Sequence, residues 1–457
     1  MELADLQVED GIIAAIGPEL TGAGEEIDGE GQHLLPGVFD CHVHFNDPGR
    51  AHWEGWPTGS AAAAMGGTTT VLDMPFNSLP PTVDRASFEA KLAAARGRSL
   101  VDFGLFGGLH GGNLAHLEEL SDLGVAGFKA FMCDTGLDEF PGVTEDELYN
   151  GMLTCARLGR PVLVHAETHP GPHENTIDGT LTEQVRGYLG ARPASTETKA
   201  VRRAIEMAEA TGARLHVVHL STGEGAALVA EARRRGVDVS AETCPHYLTF
   251  TAEDVERLGA LAKCAPPIRD QDNREALWSA VTEGIITMVG SDHSPAGPAE
   301  KLEVPFAESW GGIAGCQSLL PVMLTEGMHG RDLSLPTIAR LLASAPAERF
   351  GFPAKAGLRV GADADLVLVR LSDKFELSVE ALQYQHQISP YTGRTFTGKI
   401  ARSWRRGTPL VVEGHLMPTA SDGKFHAAST PTPPAQQRCK EVTAETTSRG
   451  DDSTADT

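Results

Sequence analysis

Eight short apolar runs, separated by segments with helical periodicity, constrain the fold of this chain more than any other feature. The runs are Val38–His44, Thr68–Pro75, Val101–Phe106, Gly127–Cys133, Pro161–Glu167, Arg214–Leu220, Asp238–Thr243 and Ile286–Asp292. Helix candidates between them include Arg85–Ala95, Glu145–Leu158, Thr196–Thr211 and Gly223–Arg235. Strands that alternate with helices in this way predict an α/β fold, a closed (β/α)8 TIM-like barrel.

Short strand patterns also flank the eight runs at both ends of the chain. They are Gly11–Gly17, Asp365–Val369 and Pro409–Val412, and they predict a small β-sandwich built from both chain ends. Beyond Met417 the composition shifts to Ser, Thr, Pro, Ala and charge, which is typical of a disordered tail. The predicted domains are 1–35 and 357–417 for the sandwich, 36–356 for the barrel and 418–457 for the tail.

The charge and the cysteines narrow the class of protein. The 457 residues include 62 acidic and 38 basic side chains, a formal net charge of −24. This argues against nucleic acid or an anionic membrane as a partner, since both need a basic face. Seven scattered cysteines without a Cys-x-x-Cys pair indicate a reduced, cytoplasmic setting. The start, Met1–Asp5, lacks the basic and apolar regions of a signal peptide.

Polar residues stand at the carboxyl ends of five of the predicted strands. In a parallel barrel these ends meet at one mouth, where the chemistry of such folds takes place. Imidazole and carboxylate groups are ligands for divalent transition metals, and His42 and His44 project on the same side of their strand. The candidate metal ligands are His42, His44, Lys129, His165, His219 and Asp292.

Lys129 does not fit a simple ligand set, because its ammonium repels a metal ion. A bare charge in the apolar run Gly127–Phe131 is also costly. Two explanations stay open at this stage. The lysine is a snorkelling or ion-paired structural residue, or its amine has reacted with carbon dioxide to give an anionic carbamate that bridges two metals. Similarly, His42 and His44 alone could be a surface pair, and Asp292 alone could cap a helix.

Together with four further motifs, these residues resemble the binuclear branch of the amidohydrolase superfamily, which includes dihydroorotases, dihydropyrimidinases (hydantoinases) and allantoinases. The motifs are Pro36–Gly37, Glu242–Tyr247, Pro266–Arg269 and Gly361–Leu366. The resemblance implies two divalent metal ions, expected to be zinc, and a carboxylated lysine at Lys129 that bridges them. It implies that His42, His44 and Asp292 hold one metal, and His165 and His219 the other. It also implies a homotetramer.

Finer features separate the members of this branch. Asn46 stands where similar dihydroorotases carry an arginine, and Asp134 where hydantoinases carry a tyrosine. The segments similar to allantoinases are Asp47–Trp56, Met74–Arg85, Trp310–Ser318 and Ser389–Thr395.

This likeness to allantoinases implies ring-opening hydrolysis of allantoin to allantoate, with Asp292 as the catalytic proton carrier. The substrate-binding residues that it implies are Asn46, Ala265, Ser294 and Gly312. Two alternatives stay open, a hydantoinase or dihydropyrimidinase, and a non-catalytic scaffold of the same fold.

Overall fold

A closed ring of parallel strands forms the centre of the molecule in the computed structural model, which describes residues 3–22, 24–29, 31–168, 179–418 and 422–429. The barrel strands, first to eighth, are Val38–Val43, Thr68–Asp73, Asp102–Leu105 continued by Gly107–Gly108, Phe128–Phe131, Val162–His165, Leu215–Val217, Val239–Thr243 and Met288–Val289. Each pairs in parallel with the next. The ring closes where the His44 N–H donates to the His293 carbonyl at 2.7 Å. The predicted barrel and its eight strands are confirmed.

Helices lie between the strands and cover the outside of the barrel. They include Trp56–Met65, Arg85–Ala95, Leu117–Asp122, Glu145–Leu158, Leu181–Ala191, Ala194–Thr211, Gly223–Arg234, Ala252–Leu258 and Gln271–Thr282. Further helical segments are Gly111–His116, Pro245–Thr249, Gly259–Ala262, Pro298–Lys301, Cys316–Ser318, Leu319–Val322, Met323–His329, Leu335–Ala339, Arg340–Ser344, Ala345–Phe350, Pro353–Lys355 and Val379–Ala381. Among the described residues, no helix has the length and apolar character needed to cross a membrane.

Local sequence explains why the predicted helix bounds were close. The helix Glu145–Leu158 begins where Thr144 and Glu147 exchange hydrogen bonds, the N–H of Thr144 donating to Glu147 Oε2 at 2.8 Å. It ends at Gly159, whose φ of 69° is in the left-handed region that glycine adopts without a steric penalty. These are standard helix start and stop signals, and both are visible in the sequence.

The two chain ends share one small β-domain beside the barrel. An antiparallel pair, Asp5–Glu9 with Ile12–Gly17, lies next to a five-stranded antiparallel sheet. In spatial order the strands of that sheet are His415–Leu416, Thr408–Val412, Thr395–Arg405, Leu366–Glu376 and His33–Pro36. His33–Pro36 pairs with Leu366–Val369, which joins the amino-terminal part to the carboxyl-terminal part as predicted. The exact domain boundaries stay a prediction.

The prediction of a disordered tail from residue 418 was wrong for residues 422–429, which we call the floor segment. The N–H of Phe103 donates to the Lys424 carbonyl at 2.9 Å, and the N–H of His426 to the Phe103 carbonyl at 2.8 Å. The Phe425 ring packs against Phe88 and Phe103. The Phe425 ring and the backbone hydrogen bonds hold the segment under the amino-terminal end of the third strand, together with side-chain bonds such as that of His426 to Asp102. The rest of the predicted tail lies outside the described residues.

Candidate metal centre

One group of candidate ligands meets where the first and eighth strands end. His42 lies in the first strand, His44 directly follows that strand, and Asp292 follows the eighth. The Oδ1 atom of Asp292 lies 3.1 Å from His42 Nε2 and 3.4 Å from His44 Nε2. All three residues are buried. Two imidazole nitrogens and a carboxylate oxygen around one point form a donor set suited to a divalent cation.

A second group follows the fifth and sixth strands. His165 Nδ1 and His219 Nε2 are 3.0 Å apart, so both nitrogens face the same space. The rings of His219 and His42 are 5.5 Å apart between centroids, which places the second group directly beside the first. Residues from four strands, distant in sequence, therefore meet at one mouth of the barrel. Their roles as ligands stay a prediction.

Lys129, in the fourth strand, lies close enough to both groups for its charge to interact with Asp292 of the first and with His219 of the second. Its side chain is fully buried, and among the described residues Nζ has no hydrogen-bond partner. Nζ is 4.8 Å from the centroid of the Phe131 ring. Burial lowers the pKa of Lys129 to about 8, although the Asp292 charge opposes the shift. The pKa of His219 is lowered mainly by burial and secondly by the charge of Lys129.

Burial keeps three of the candidate histidine ligands, His44, His165 and His219, in the form that binds metal. It lowers the pKa of His44 to about 4 and that of His219 well below its usual value. The pKa of His165 is lowered for the same main reason, with Glu167 opposing the shift. At neutral pH these imidazoles carry a free lone pair, as coordination requires.

Glu242, whose role the sequence did not indicate, supports the first group from below. Its carboxylate binds Nδ1 of His42 in a short hydrogen bond. Its other oxygen lies 3.1 Å from His216 Nε2 and 3.1 Å from the Cys41 thiol. The partner on Nδ1 leaves Nε2 of His42 facing Asp292, as is typical of carboxylates behind histidine ligands. Its position at the end of the seventh strand is the signal that could have identified it.

Glu167 orients a histidine of the second group, as Glu242 does in the first. Its Oε2 atom lies 3.2 Å from Nε2 of His165, which leaves Nδ1 of that ring facing His219. The guanidinium of Arg192 pairs with the same carboxylate. A carboxylate thus stands behind one histidine of each group. The sequence predicted neither pairing, because each depends on the orientation of a ring.

His246, which belongs to the motif Glu242–Tyr247, is a further buried residue beside the site. Both of its ring nitrogens lack a hydrogen-bond partner in the part of the chain that the structure describes. One of them, the Cys244 sulfur and an Asp292 oxygen all lie within 4.8 Å of one another. Burial lowers the pKa of His246 to about 4. A neutral imidazole therefore faces the mouth beside Asp292.

Two asparagines flank the site with backbones in the left-handed region. Asn46 has φ 62° and Asn77 φ 68°, and Asp292 itself has φ 45°. Non-glycine residues in this region are uncommon and often occur at functional sites. Asn46 Nδ2 donates to the Pro295 carbonyl at 3.2 Å, and Asn77 Nδ2 to Ser294 Oγ at 3.3 Å. Asn77 was not among the predicted substrate contacts, although its side chain donates to Ser294, which was.

The remaining predicted substrate contacts form one rim beside Asp292. A Cβ at Gly312 would lie 2.2 Å from the Ser294 carbonyl oxygen, so the two chains touch and only glycine fits. A Cβ at Gly311 would lie 3.9 Å from the Ala265 nitrogen. The structure therefore brings Ser294, Gly312 and Ala265 together on three adjacent segments. Their contact with a substrate stays a prediction.

Comparison with known proteins identifies the family. Residues 33–410 match the Amidohydrolase family over most of the chain. The chain belongs to the amidohydrolase family. Its buried imidazoles and its carboxylate are a donor set that fits the metal chemistry of that family.

Several curated relatives of this amidohydrolase are named allantoinase. That of Rubrobacter xylanophilus is 50% identical over 427 residues, covering 93% of this chain and 94% of the relative. That of Deinococcus radiodurans is 48% identical, covering 91% and 93%. That of Escherichia coli O139:H28 is 41% identical, covering 93% and 94%.

Solved structures of similar fold are named hydantoinase or dihydropyrimidinase. The L-hydantoinase (dihydropyrimidinase) of Arthrobacter aurescens has a TM-score of 0.87 and 32% identity, covering 92% of this amidohydrolase and 95% of that protein. The dihydropyrimidinase of Brevibacillus agri has a TM-score of 0.84 and 28% identity, covering 94% and 96%. These likenesses agree with the barrel and the two-ended β-domain.

Proposed function

We propose that this protein is an allantoinase, a metal-dependent hydrolase that opens the hydantoin ring of allantoin to give allantoate. The observation that carries the proposal is 50% identity to an allantoinase over 93% of the chain, combined with an undisrupted set of candidate ligands at one mouth. The intact set argues against a non-catalytic scaffold, because such a protein has no need to keep six buried polar groups converging.

Two divalent cations, which we propose to be zinc, would occupy the two groups. The residues that would hold them are His42, His44 and Asp292 for one, and His165 and His219 for the other, with Lys129 between them. When bound, such a pair of cations supplies an activated water nucleophile and polarises the amide carbonyl. The nitrogen-rich donor set supports the proposal of zinc, because imidazole ligands suit this ion.

We propose that Lys129 acts as a carboxylated lysine. Its neutral amine attacks carbon dioxide, a nitrogen–carbon bond forms and one proton leaves to solvent, which yields an anionic carbamate. Burial favours the neutral amine that this reaction needs, since it lowers the pKa of Lys129 to about 8. An anion at this position also relieves the cost of a buried ammonium without a hydrogen-bonding partner among the described residues.

Asp292 would be the catalytic residue that moves the proton. Burial raises its pKa, but the charges and hydrogen bonds of His42 and His44 outweigh that effect and lower it to about 2. At neutral pH it is therefore a carboxylate. It accepts a proton as water attacks the ring carbonyl carbon, and it delivers that proton to the ring nitrogen when the carbon–nitrogen bond breaks. Asn46, Ala265, Ser294 and Gly312 would contact the small-molecule substrate at the rim.

A dihydropyrimidinase or hydantoinase is the second candidate, favoured by the names of the structural neighbours. One position argues against it. Asp134 stands where the resemblance expects a hydantoinase tyrosine, and its Oδ1 accepts the N–H of Gly136 at 3.1 Å within its own loop. A carboxylate engaged in its own turn does not replace a phenol hydroxyl that donates to the substrate.

A panel of cyclic amides tests these alternatives. The protein is purified with zinc and bicarbonate, and kcat/KM is measured for allantoin, hydantoin, dihydrouracil and dihydroorotate, with metal content determined on the same sample. We expect two zinc ions per subunit and the highest kcat/KM for allantoin. Equal or better hydrolysis of dihydrouracil would identify a dihydropyrimidinase, and absence of both metal and amidase activity a scaffold. Light scattering tests the homotetramer implied by the resemblance, and cell fractionation the cytoplasmic location.

A further inference from the structure

Two buried lysines that take no part in the proposed mechanism lie next to the substrate rim. Lys301 ends the short helix Pro298–Lys301 in the loop that follows the eighth strand, and Lys263 lies in the segment that follows the seventh. Lys301 is 3% exposed and Lys263 6%. A buried ammonium is costly unless its N–H donors are hydrogen-bonded. The acceptors of each lysine therefore indicate which parts of the chain it holds in place.

Lys301 donates to main-chain oxygens on two different segments. Its Nζ lies 2.6 Å from the carbonyl of Gly312, 2.8 Å from that of Trp310 and 3.1 Å from that of Lys263. An ammonium has three N–H donors, and here three carbonyls accept them. The side chain therefore ties the loop 310–312 to the segment that leads into Ala265.

Both tied segments are part of the rim described above. Gly312 touches Ser294, and the indole N–H of Trp310 donates to the Ser294 carbonyl at 3.0 Å. Ala265 comes two residues after the Lys263 carbonyl that Lys301 binds. Lys301 thus joins the segments of Ala265 and Gly312 directly, and Gly312 and Trp310 link these to the segment of Ser294.

Lys263 reinforces the same loop at its far end. Its Nζ donates to the carbonyls of Phe306, Ala307 and Ser309 at 2.7 to 2.9 Å. The loop from 306 to 312 is consequently held through its carbonyl oxygens. Its shape therefore depends on two lysine side chains.

We propose that Lys301 is a positioning residue for substrate binding, which holds the main chain at Gly312 and Ala265 in the geometry that a cyclic amide requires. The inference rests on the proposed function, because it assumes that this rim contacts the substrate. Loss of the tie should weaken binding of the substrate rather than the chemical step, since Asp292 and the candidate metal ligands are not among the groups that Lys301 binds.

Lys301→Met is the direct test, since it keeps the length of the side chain and removes the donors. Three carbonyls, those of Lys263 and Gly312 in buried contacts and that of Trp310 in a partly buried one, then lose their hydrogen bond from Lys301. We expect KM for the best cyclic amide of the wild-type enzyme to rise about 10- to 100-fold, because a displaced rim loses contacts that bind the ground state and the transition state alike, with kcat within about threefold and zinc content unchanged. Lys355→Met is the matched control, because Lys355 is also a buried lysine with three charged partners but lies under the barrel floor. It should lower thermal stability and leave KM unchanged.

Two further measurements apply if Lys301→Met does not fold. Lys301→Gln retains two N–H donors and should give a smaller rise in KM. In the wild type, burial lowers the pKa of Lys301 to about 7, with Cys264 opposing and Lys263 adding to the shift, and His386 lines the same cavity. Loss of the proton above this pH removes one donor, so KM should rise between pH 6 and 8.5 in the wild type and less in Lys301→Gln.

The outcomes separate the inference from the proposed function. If the wild type hydrolyses no cyclic amide, the proposed function is wrong. If it does, and folded, zinc-loaded Lys301→Met and Lys301→Gln keep KM within about twofold of the wild type, the positioning role is wrong. If only Lys301→Gln folds, two observations together would overturn the inference. They are a KM of this variant equal to that of the wild type, and a wild-type KM that does not change between pH 6 and 8.5. A 10- to 100-fold fall in kcat with unchanged KM in these variants would also overturn the inference.

Discussion

The carboxylate of Asp292 lies 3.1 Å from Nε2 of His42, although the two residues come from opposite ends of the barrel sequence. They are neighbours because the eighth strand closes the ring against the first. This closure places the proposed proton carrier among the proposed ligands. A carboxylate that faces two imidazoles can be a ligand, a base, or both, and mutation distinguishes these roles.

Asp292→Asn tests the base role, because the amide keeps an oxygen for coordination and cannot accept the proton. We expect kcat to fall by about 10²- to 10⁴-fold, the usual contribution of a positioned general base, with most of the zinc retained. Asp134→Asn is the control, since this carboxylate turns into its own loop and should give near-normal kcat. Full activity in Asp292→Asn contradicts the role.

Lys129→Ala tests the carboxylated lysine. The variant should lose zinc and lose activity by more than about 10³-fold, as happens when one member of a catalytic unit is removed. Short carboxylic acids such as acetate should restore part of the activity, because they supply the missing anion in the vacated space. Metal analysis and kinetics with and without acetate check this. Retention of two zinc ions per subunit without added acid would show that the lysine has no part in binding them.

Glu242→Gln tests the carboxylate behind His42. The amide keeps the volume but weakens the hydrogen bond that orients the imidazole. Zinc affinity should fall about 10- to 100-fold, the typical effect of losing such a partner. Competition with a zinc chelator measures it. The same affinity in variant and wild type would mean that the ring of His42 is held by packing alone.

Asp102→Asn tests the charged network under the barrel floor, where His426, Lys355 and Arg406 surround this carboxylate. Burial raises the pKa of Asp102, but these partners outweigh it and the pKa is lowered. A carboxylate with a lowered pKa stabilises the fold fully at pH values above its unfolded pKa of about 3.9. This stabilisation is lost progressively as the pH falls from that value toward the pKa of the folded state. The variant should be less stable by roughly 3–5 kcal/mol at pH 7.

Urea unfolding at pH 7, 5 and 3 checks the sign for Asp102→Asn. The difference from the wild type should be constant between pH 7 and 5 and should shrink toward pH 3. A difference that grows on acidification contradicts the assignment. The activity of the folded variant should stay close to that of the wild type, because the network lies at the opposite end of the barrel.

Truncation tests the floor segment. A chain that ends after Met417 loses the hydrogen bonds and the ring contacts of Phe425. Burial of such a ring contributes about 1.5–3 kcal/mol, so the thermal transition should fall by several degrees. A chain that ends after Ser429 keeps these contacts and should unfold like the full chain. Equal transition temperatures for both truncations would show that the segment adds nothing.

The sequence by itself determined the barrel and the strand ends on which the candidate ligands stand. Continuous apolar runs indicate buried parallel strands, and the direction of such strands brings His44, Lys129 and His219 to one mouth without any knowledge of contacts. Helix bounds such as those of Glu145–Leu158 are likewise coded locally, by the capping residues at each end.

Only the tertiary structure decided which side chains and carbonyl groups contact and orient the residues of the site. The carboxylate of Glu242 on His42, the three carbonyls around Lys301 and the attachment of Phe425 under the floor all join residues that are distant in sequence. Their formation depends on distances of about 3 Å and on side-chain orientation, because hydrogen bonds and van der Waals contacts lose their strength within an ångström. No local pattern encodes such distances, so they emerge only when the barrel closes.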